Sequence, residues 1–495
     1  MGGTFSRLNY SDRIKNYLSS NRKKRKLEEC DDEEFFGQYM NPKKRKMVCT
    51  AKYIYKALFL DGQEYDIIVD VLDKEWKLHK IYLQQSPYFA SMFSGSWNET
   101  NKSYVKIEVP DPNVTLEALT VLFGSLYPSD EVTLEPCNIV AVLAAATLFQ
   151  CEGLIDQCAD VMLQTISPLT AVNYYNAACQ YNLTEVKQKT LKFFNINLIN
   201  YFQEHADRLR HIGEDLMAEL VNSKDLCVVQ MEFSLYLMLR HWMFLRLHPD
   251  TVSSNPDRPD HSYEENYFKE RSLDEPEFLL TEEGNQFVRI FRGLRLEHVI
   301  IHVEDFNNII EDRIIPHTWL YPTLVSLWHQ VLHNENMTES DSLDVAEDVF
   351  YAKCMRLGRV VVSKEPAISW RWNGFMMGLN LVWCLTPQYL SVKRHRQQVM
   401  PNTFARNLVC RITVISQDQQ KQVTAEQCSG IVKFSLVRFE EVQVMDLTKD
   451  LTYPITISIS LLISTPNSKP ALPPISTITI EQPPPAPVST ASLTA

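Results

Sequence analysis

The sequence predicts a multidomain α+β protein with unstructured ends. Three observations lead there: a short mixed run of strands and helices over 51–165, a series of amphipathic helical segments over 166–333, and a closing run of short apolar strands over 350–463. A chain of 495 residues is too long for one core. The ends, 1–50 and 464–495, lack apolar periodicity, the second being rich in Pro, Ser and Thr, and are expected to be disordered.

In the first unit, Asp66 to Val71 and Lys74 to His79 carry apolar residues at alternate positions around Asp73, which suits a turn, so the pair reads as a hairpin. Tyr82, Leu83, Phe89, Met92 and Phe93 then fall at helical spacings, divided by a Ser86-Pro87 step that ends one helix and begins the next. Val105, Ile107 and Val109 alternate into a third strand, stopped by Pro110-Asp111-Pro112 before a helix over Leu116 to Tyr127. Ile139 to Phe149 and Leu154 to Leu163 complete the unit as helices. This order of elements, entered through Tyr53-Ile54-Tyr55-Lys56-Ala57-Leu58-Phe59, resembles the BTB (POZ) domain, a dimerising and docking module without an active site. The resemblance implies a homodimer and places Asp66 and His79 near its interface. Read from the residues alone, each equally suits the satisfaction of backbone groups at a strand end.

From Ser167-Pro168, a good N-cap and first-turn pair, helical segments run through Ala171 to Tyr181, Glu185 to Ile199, Asp215 to Val221 and Phe233 to Leu247. Consecutive helices behind a BTB domain resemble the BACK domain, whose first helix pair extends the surface offered to cullin-3. His248 to Gln286, with four prolines and an acidic excess, reads as an exposed insertion. Helices resume at Phe287 to Ile301 and Thr318 to Leu332. Asn334 to Asp348 has six acidic residues and no basic one, which marks a linker over 334–349. Strands are expected at Leu379 to Cys384, Tyr389 to Lys393, Val409 to Ile415, Ile431 to Leu436, Val442 to Leu447 and Ile455 to Ile463, forming an antiparallel sandwich.

Composition excludes several functions. The 14 glycines are few, and the only Gly-Gly is Gly2-Gly3, whereas the kelch propeller of many BTB proteins needs repeated glycine pairs. None of the 11 cysteines is spaced Cys-x-x-Cys, so they read as reduced thiols and no zinc finger is expected. His298 with His302, and His329 with His333, share helix faces but lack a completing carboxylate or thiol, so no metal is expected. Phosphate-binding glycine loops, Gly-x-Ser-x-Gly and His-Glu-x-x-His are all missing, which argues against an enzyme and against any cofactor.

The formal net charge of -12 hides a basic head: residues 1–52 hold 13 Lys and Arg against 7 Asp and Glu. Two clusters, Arg22-Lys23-Lys24-Arg25-Lys26 and Lys43-Lys44-Arg45-Lys46, suit the acidic grooves of nuclear import receptors. No aromatics interleave with them, so direct nucleic-acid binding is not expected. Met1-Gly2-Gly3-Thr4-Phe5-Ser6 fits a myristoylation pattern with Gly2 as acceptor. One acyl chain binds membrane only reversibly, so the basic clusters would have to assist. No run of residues is apolar enough to span a bilayer, and any membrane contact is expected to be peripheral. Together these signals point to the nucleus and its envelope, with the cytoplasm as another location.

Cys354-Met355-Arg356-Leu357-Gly358-Arg359, followed by Trp370-Arg371-Trp372-Asn373-Gly374-Phe375, resembles the terminal domain of the germ cell-less family of BTB-BACK proteins in its insect form. The head and the BTB entry agree with that family. The resemblance implies a cullin-3 substrate adaptor, acting in germ-cell formation and recruiting an unidentified protein substrate mainly through the C-terminal domain, with nuclear-envelope proteins as further partners. It also implies association with the inner nuclear membrane or the cell cortex. Such an adaptor works by proximity and supplies no acid, base or nucleophile. Many cullin-3 adaptors carry a hydrophobic residue, any residue and then glutamate after the second BTB helix, which here is Trp97-Asn98-Glu99. Tyr88, Phe93 and Tyr127 suit the same face, and core packing suits each of them as well. For substrate, Trp370 and Trp372 on a strand share one face and Arg371 the other. They fit either a sandwich core or an aromatic patch flanked by Arg356 and Arg359 for an acidic partner. The rival function is a nuclear-envelope scaffold or repressor cofactor, which needs the dimer and the basic head but no cullin.

Overall fold

The structure, a computed structural model, describes residues 50–95, 102–128, 133–249, 266–335 and 345–463, apart from 273, 365–366, 373–378, 396–404, 438 and 449.

The expected hairpin forms from β1 (Ile67–Val71) and β2 (Lys74–Leu78), with Ile67 opposite Leu78 and Val71 opposite Lys74. Its turn residues, Leu72 and Asp73, have φ of 53° and 56°. Left-handed backbone at both positions is the type I′ geometry that matches the twist of the flanking strands. β3 (Tyr104–Ile107) lies parallel to β1 on its other side, giving the order β2-β1-β3. Val109 lies beyond β3, because the following Pro110 has no N–H for the ladder. The helices of seven residues or more begin with α1 (Pro87–Phe93), α2 (Leu116–Ser125), α3 (Ile139–Leu148) and α4 (Glu152–Gln164). Ser86 caps α1, its Oγ accepting from the Phe89 N–H and donating to the Phe149 carbonyl. Phe89 and Phe149 stack at 5.2 Å beneath it.

The helical region follows with α5 (Ala171–Gln180), α6 (Thr184–Asn197), α7 (Glu214–Val221) and α8 (Glu232–Leu247). One hydrophobic core runs from Phe59 in the first unit to Leu320, so the two units are fused. α8 is buried on nearly every side from Glu232 to Leu245. It therefore buries two charges with their partners: Arg240 reaches Asp312 at 2.8 Å, where the Tyr236 hydroxyl also donates, and Glu232 meets Arg356.

Two expectations for this region need correction. The helix read over Phe287 to Ile301 is broken into Asn285–Phe287, Val288–Phe291 and Leu296–Val299. Gly293 sits at the break, where a Cβ would come 2.9 Å from the Val221 side chain, and this close approach to α7 sets the bend. A helix not read from the sequence, α9 (Val303–Asp312), follows, and then α10 (His317–Glu335). The expected exposed insertion is also smaller than 248–286. Phe268, Phe278 and Leu279 are buried, and the N–H groups of Phe278 and Leu279 donate to the carbonyls of Arg313 and Ile314. Its acidic and proline-rich composition concealed these apolar anchors; residues 250–265 lie outside the described residues.

Of the acidic linker, Glu347 and Asp348 form the first turn of α11 (Glu347–Lys353), where the helix dipole favours negative charge. Beyond it stands the expected antiparallel sandwich of two four-stranded sheets. One has the order β4 (Met355–Val361), β11 (Ile455–Ile463), β8 (Arg406–Gln417), β9 (Val423–Leu436); the other has β10 (Glu441–Asp446), β7 (Tyr389–Arg394), β6 (Leu381–Leu385), β5 (Ile368–Trp370). Leu357, Trp383, Val392, Ile412 and Ile457 fill the space between them. β4 was not among the expected strands. It is buried on both faces over Met355 to Gly358, so it lacks the alternation of a half-buried strand.

Candidate functional site

On the BTB unit, the placements divide the residues proposed for docking. Trp97 and Glu99 lie outside the described residues. Tyr88 and Phe93 are half-buried; Tyr88 sits edge-on to Phe89 and Phe149, and Lys80 Nζ lies 5.3 Å over the Phe93 ring. Tyr127 is a correction. It is 2 % exposed, packs on Tyr82 at 4.4 Å, and its hydroxyl accepts from the His79 backbone N–H and bonds His79 Nδ1 at 2.9 Å. A side chain so enclosed offers no contact surface to a partner. Burial also pushes its phenol well above the ordinary range.

His79 is buried, with Nε2 against the Gln63 carbonyl at 2.9 Å. A carbonyl only accepts, so Nε2 carries the hydrogen and Nδ1 accepts from Tyr127. Asp66 is exposed and accepts from the Lys80 backbone N–H at 2.8 Å, at the start of the short helix Lys80–Leu83. Both residues therefore satisfy backbone and core polar groups within this chain.

On the sandwich, the proposed substrate patch comes apart. Arg356 is buried: its guanidinium makes a two-pronged pair with Glu232 and donates from Nη1 to the Val221 carbonyl at 3.0 Å and the Ser223 carbonyl at 3.4 Å. It is committed to the helical region and is not available to an acidic partner. Trp370 is 5 % exposed and belongs to the sandwich core, with Arg359 stacked 5.2 Å over its ring. Trp372 is half-buried, edge-on to Trp370 and Trp383. Arg371 is exposed, but β5 ends at Trp370, so Arg371 and Trp372 lie past the strand and the expected alternation over 370–372 is not formed.

Glu232, which sequence reasoning did not single out, is fully enclosed and also accepts from the Arg295 backbone N–H. Burial would raise its carboxyl, but the Arg356 charge and hydrogen bonds outweigh that and hold it below the ordinary range. Beside it, Arg295 donates to the carbonyls of Cys354 and Tyr351, and His298 bonds the Lys353 carbonyl at 2.8 Å. His298 is thus a structural residue, and no metal-holding cluster occurs among the described residues. A second unsuspected feature lies on α10, where Tyr321, Val325, Trp328 and Leu332 are 59, 59, 64 and 41 % exposed. Their four-three-four spacing, with no Asp, Glu, Lys or Arg from His317 to Asn334, makes an uncharged apolar stripe that was legible in the sequence.

Among the described residues no helix is long and apolar enough to cross a membrane. Burial pushes the Cys151 and Cys158 thiols up to about 11 and about 12, away from nucleophilic chemistry.

Residues 55–166 match the BTB/POZ domain. "Kelch repeat and BTB domain-containing protein 8" of Danio rerio is 29% identical over 197 residues, 39% of this chain and 31% of that protein. Similarity to the germ cell-less proteins reaches much further. "Protein germ cell-less" of Drosophila melanogaster is 40% identical over 452 residues, 86% of this chain and 79% of that protein. "Germ cell-less protein-like 1" of Homo sapiens is 34% identical over 434 residues, covering 86% and 84%. With a docking module at its head and this similarity over most of its length, the chain belongs to the germ cell-less family of BTB adaptors.

Proposed function

We propose that this chain is a non-catalytic substrate adaptor of a cullin-3 RING ubiquitin ligase, acting in germ-cell formation. The BTB unit dimerises and, with the first helices behind it, docks the cullin; the C-terminal region holds the protein to be modified. The observation that carries this reading is the BTB/POZ match over 55–166 within a chain of germ cell-less type. Trp97 is the proposed anchor and Glu99 its polar neighbour, with Tyr88 and Phe93 at the margin of the same face. Ubiquitin transfer is then a matter of effective concentration, which requires no reactive group on the adaptor.

The basic clusters at Arg22 to Lys26 and Lys43 to Lys46 serve nuclear import in this reading. Gly2 acylation supplies a reversible, peripheral hold on the inner nuclear membrane. The test is a pull-down of the full chain with the N-terminal domain of cullin-3, comparing wild type with a folded Trp97→Ala, Glu99→Ala double variant. Binding by wild type that the variant loses supports the adaptor; wild type that binds no cullin-3 sinks it and leaves the nuclear-envelope scaffold as the better reading.

A further inference from the structure

The sandwich is joined to the helical region by more than the chain connection. Arg356 on β4 is clamped on Glu232 of α8 and on the Val221 and Ser223 carbonyls. Two residues on, Gly358 exchanges backbone hydrogen bonds with Gln230, at 2.8 Å one way and 3.3 Å the other. Only glycine fits there, because a Cβ at 358 would stand 2.1 Å from the Val228 carbonyl oxygen. Further contacts surround this seam. Lys192 pairs with Glu426, Arg411 with Asp225, Gln417 with Asn197, and the Gln422 amide donates to the Ile166 carbonyl. The helical side thus grips at three separate stretches, near 166, over 192–197 and over 221–232. A domain held at one point pivots, whereas one held at three does not.

Resting on the ligase reading above, we propose that Arg356 and Gly358 are positioning residues for ubiquitin transfer. They fix the sandwich on the BTB-helical body as a rigid arm, so that a protein it holds meets the activated ubiquitin from one direction. Proximity through a flexible tether raises concentration without direction; a fixed arm adds orientation.

The test uses the full chain assembled with neddylated cullin-3, its RING subunit and a charged ubiquitin-conjugating enzyme, with the chain's own lysines as reporters. Mass spectrometry maps which of Lys364, Lys393, Lys421 and Lys433 on the sandwich are modified. Hydrogen exchange follows the Gln230 and Gly358 amides, which bond across the seam. Wild type is expected to give a restricted lysine set and protected amides. Gly358→Ala is expected to keep cullin-3 binding, speed exchange of both amides by about tenfold or more, and spread modification over all four lysines. Should Gly358→Ala fail to fold, the Glu232→Leu, Arg356→Met double variant removes the Arg356 clamp on the Val221 and Ser223 carbonyls and opens the same seam at its centre. Wild-type seam amides that exchange like an exposed turn overturn the rigid arm. A lysine map unchanged when the amides open overturns the positioning role, even though cullin-3 still binds. Wild type that binds no cullin-3 removes the ligase reading and this role together, leaving the exchange data to report the seam alone.

Discussion

The BTB unit and the sandwich both contain short strands, but they are specified at different ranges. β1 and β2 are joined by two residues whose left-handed backbone itself dictates the pairing. β4 pairs with β11 at the far end of its domain, Met355 opposite Leu461, and it also bonds α8, the end of α7 and the loop between them. A strand that answers to a sheet and to a second domain carries residues for both. That is why β4 holds a buried arginine and a glycine where a half-buried strand would alternate Val and Thr.

The largest expected effect breaks this difference at its centre. Glu232→Ala leaves Arg356 buried without its partner and is expected to cost about 3–5 kcal/mol. Tyr127→Phe in the BTB unit, which removes one hydroxyl from His79, is expected to cost about 1–2 kcal/mol. Urea denaturation followed by tryptophan fluorescence reads both. A Glu232→Leu, Arg356→Met double variant is expected to regain most of the loss, since the ion pair's desolvation disappears with it. A double variant as unstable as Glu232→Ala alone would contradict that account.

The two regions are also expected to respond oppositely to pH. Glu232 is held below its ordinary value of 4.5, and burial holds His298 below 6.5 despite the Lys353 carbonyl and the carboxylates of Glu232 and Glu297. Each lowered group contributes stability that is complete above its ordinary value and is lost as pH falls through the lower folded one. The seam is therefore expected to loosen on acidification, through His298 below 6.5 and through Glu232 below 4.5. Tyr127, raised above 10.0 by burial, contributes stability that is present below 10.0 and is lost only as pH rises through its folded value. Asp312, raised by burial in spite of Arg240, acts against the seam groups within the helical region. Exchange of the Gly358 amide between about pH 7 and about pH 5, corrected for intrinsic rates, isolates the seam. Protection that rises on acidification would reverse the assignment.

Sharpening the hairpin should gain stability. Leu72 and Asp73 hold left-handed backbone that costs ordinary side chains about 1 kcal/mol each. Asn-Gly at these positions suits the turn, so Leu72→Asn with Asp73→Gly is expected to stabilise by about 1 kcal/mol, less the exposed Asp73–Lys106 pair. Thermal unfolding of the double variant checks it. A lowered midpoint would mean that the native turn does not carry the left-handed cost assigned to it.

What the sequence revealed follows the same division. Period-two and helical spacings located the hairpin, α2 to α8 and six sandwich strands, because most of those elements bury a face against neighbours of their own domain; α8, enclosed on nearly every side, was found by its apolar content. Periodicity failed where a residue answers to distant chain. Arg356 looked like a surface cation because its partner lies in α8. Tyr127 suited a docking face until His79 enclosed its hydroxyl. Phe268 and Phe278 were masked by acidic neighbours. The alternation read over 370–372 needed a strand, and β5 stops at Trp370.

The smallest expected effect tests whether the seam depends on its centre or its rim. Lys192 and Glu426 face each other across the two domains, with half of the lysine side chain and a third of the glutamate exposed to solvent. Water and salt screen such a pair, and holding two long side chains together costs entropy, so Lys192→Ala is expected to shift unfolding by no more than about 0.5 kcal/mol. The shift should vanish in molar salt. The Glu232→Ala loss should persist there, because its charges lie where ions cannot reach. If Lys192→Ala instead destabilised the chain as much as Glu232→Ala, the rim would be the anchor and β4 only a passenger on it.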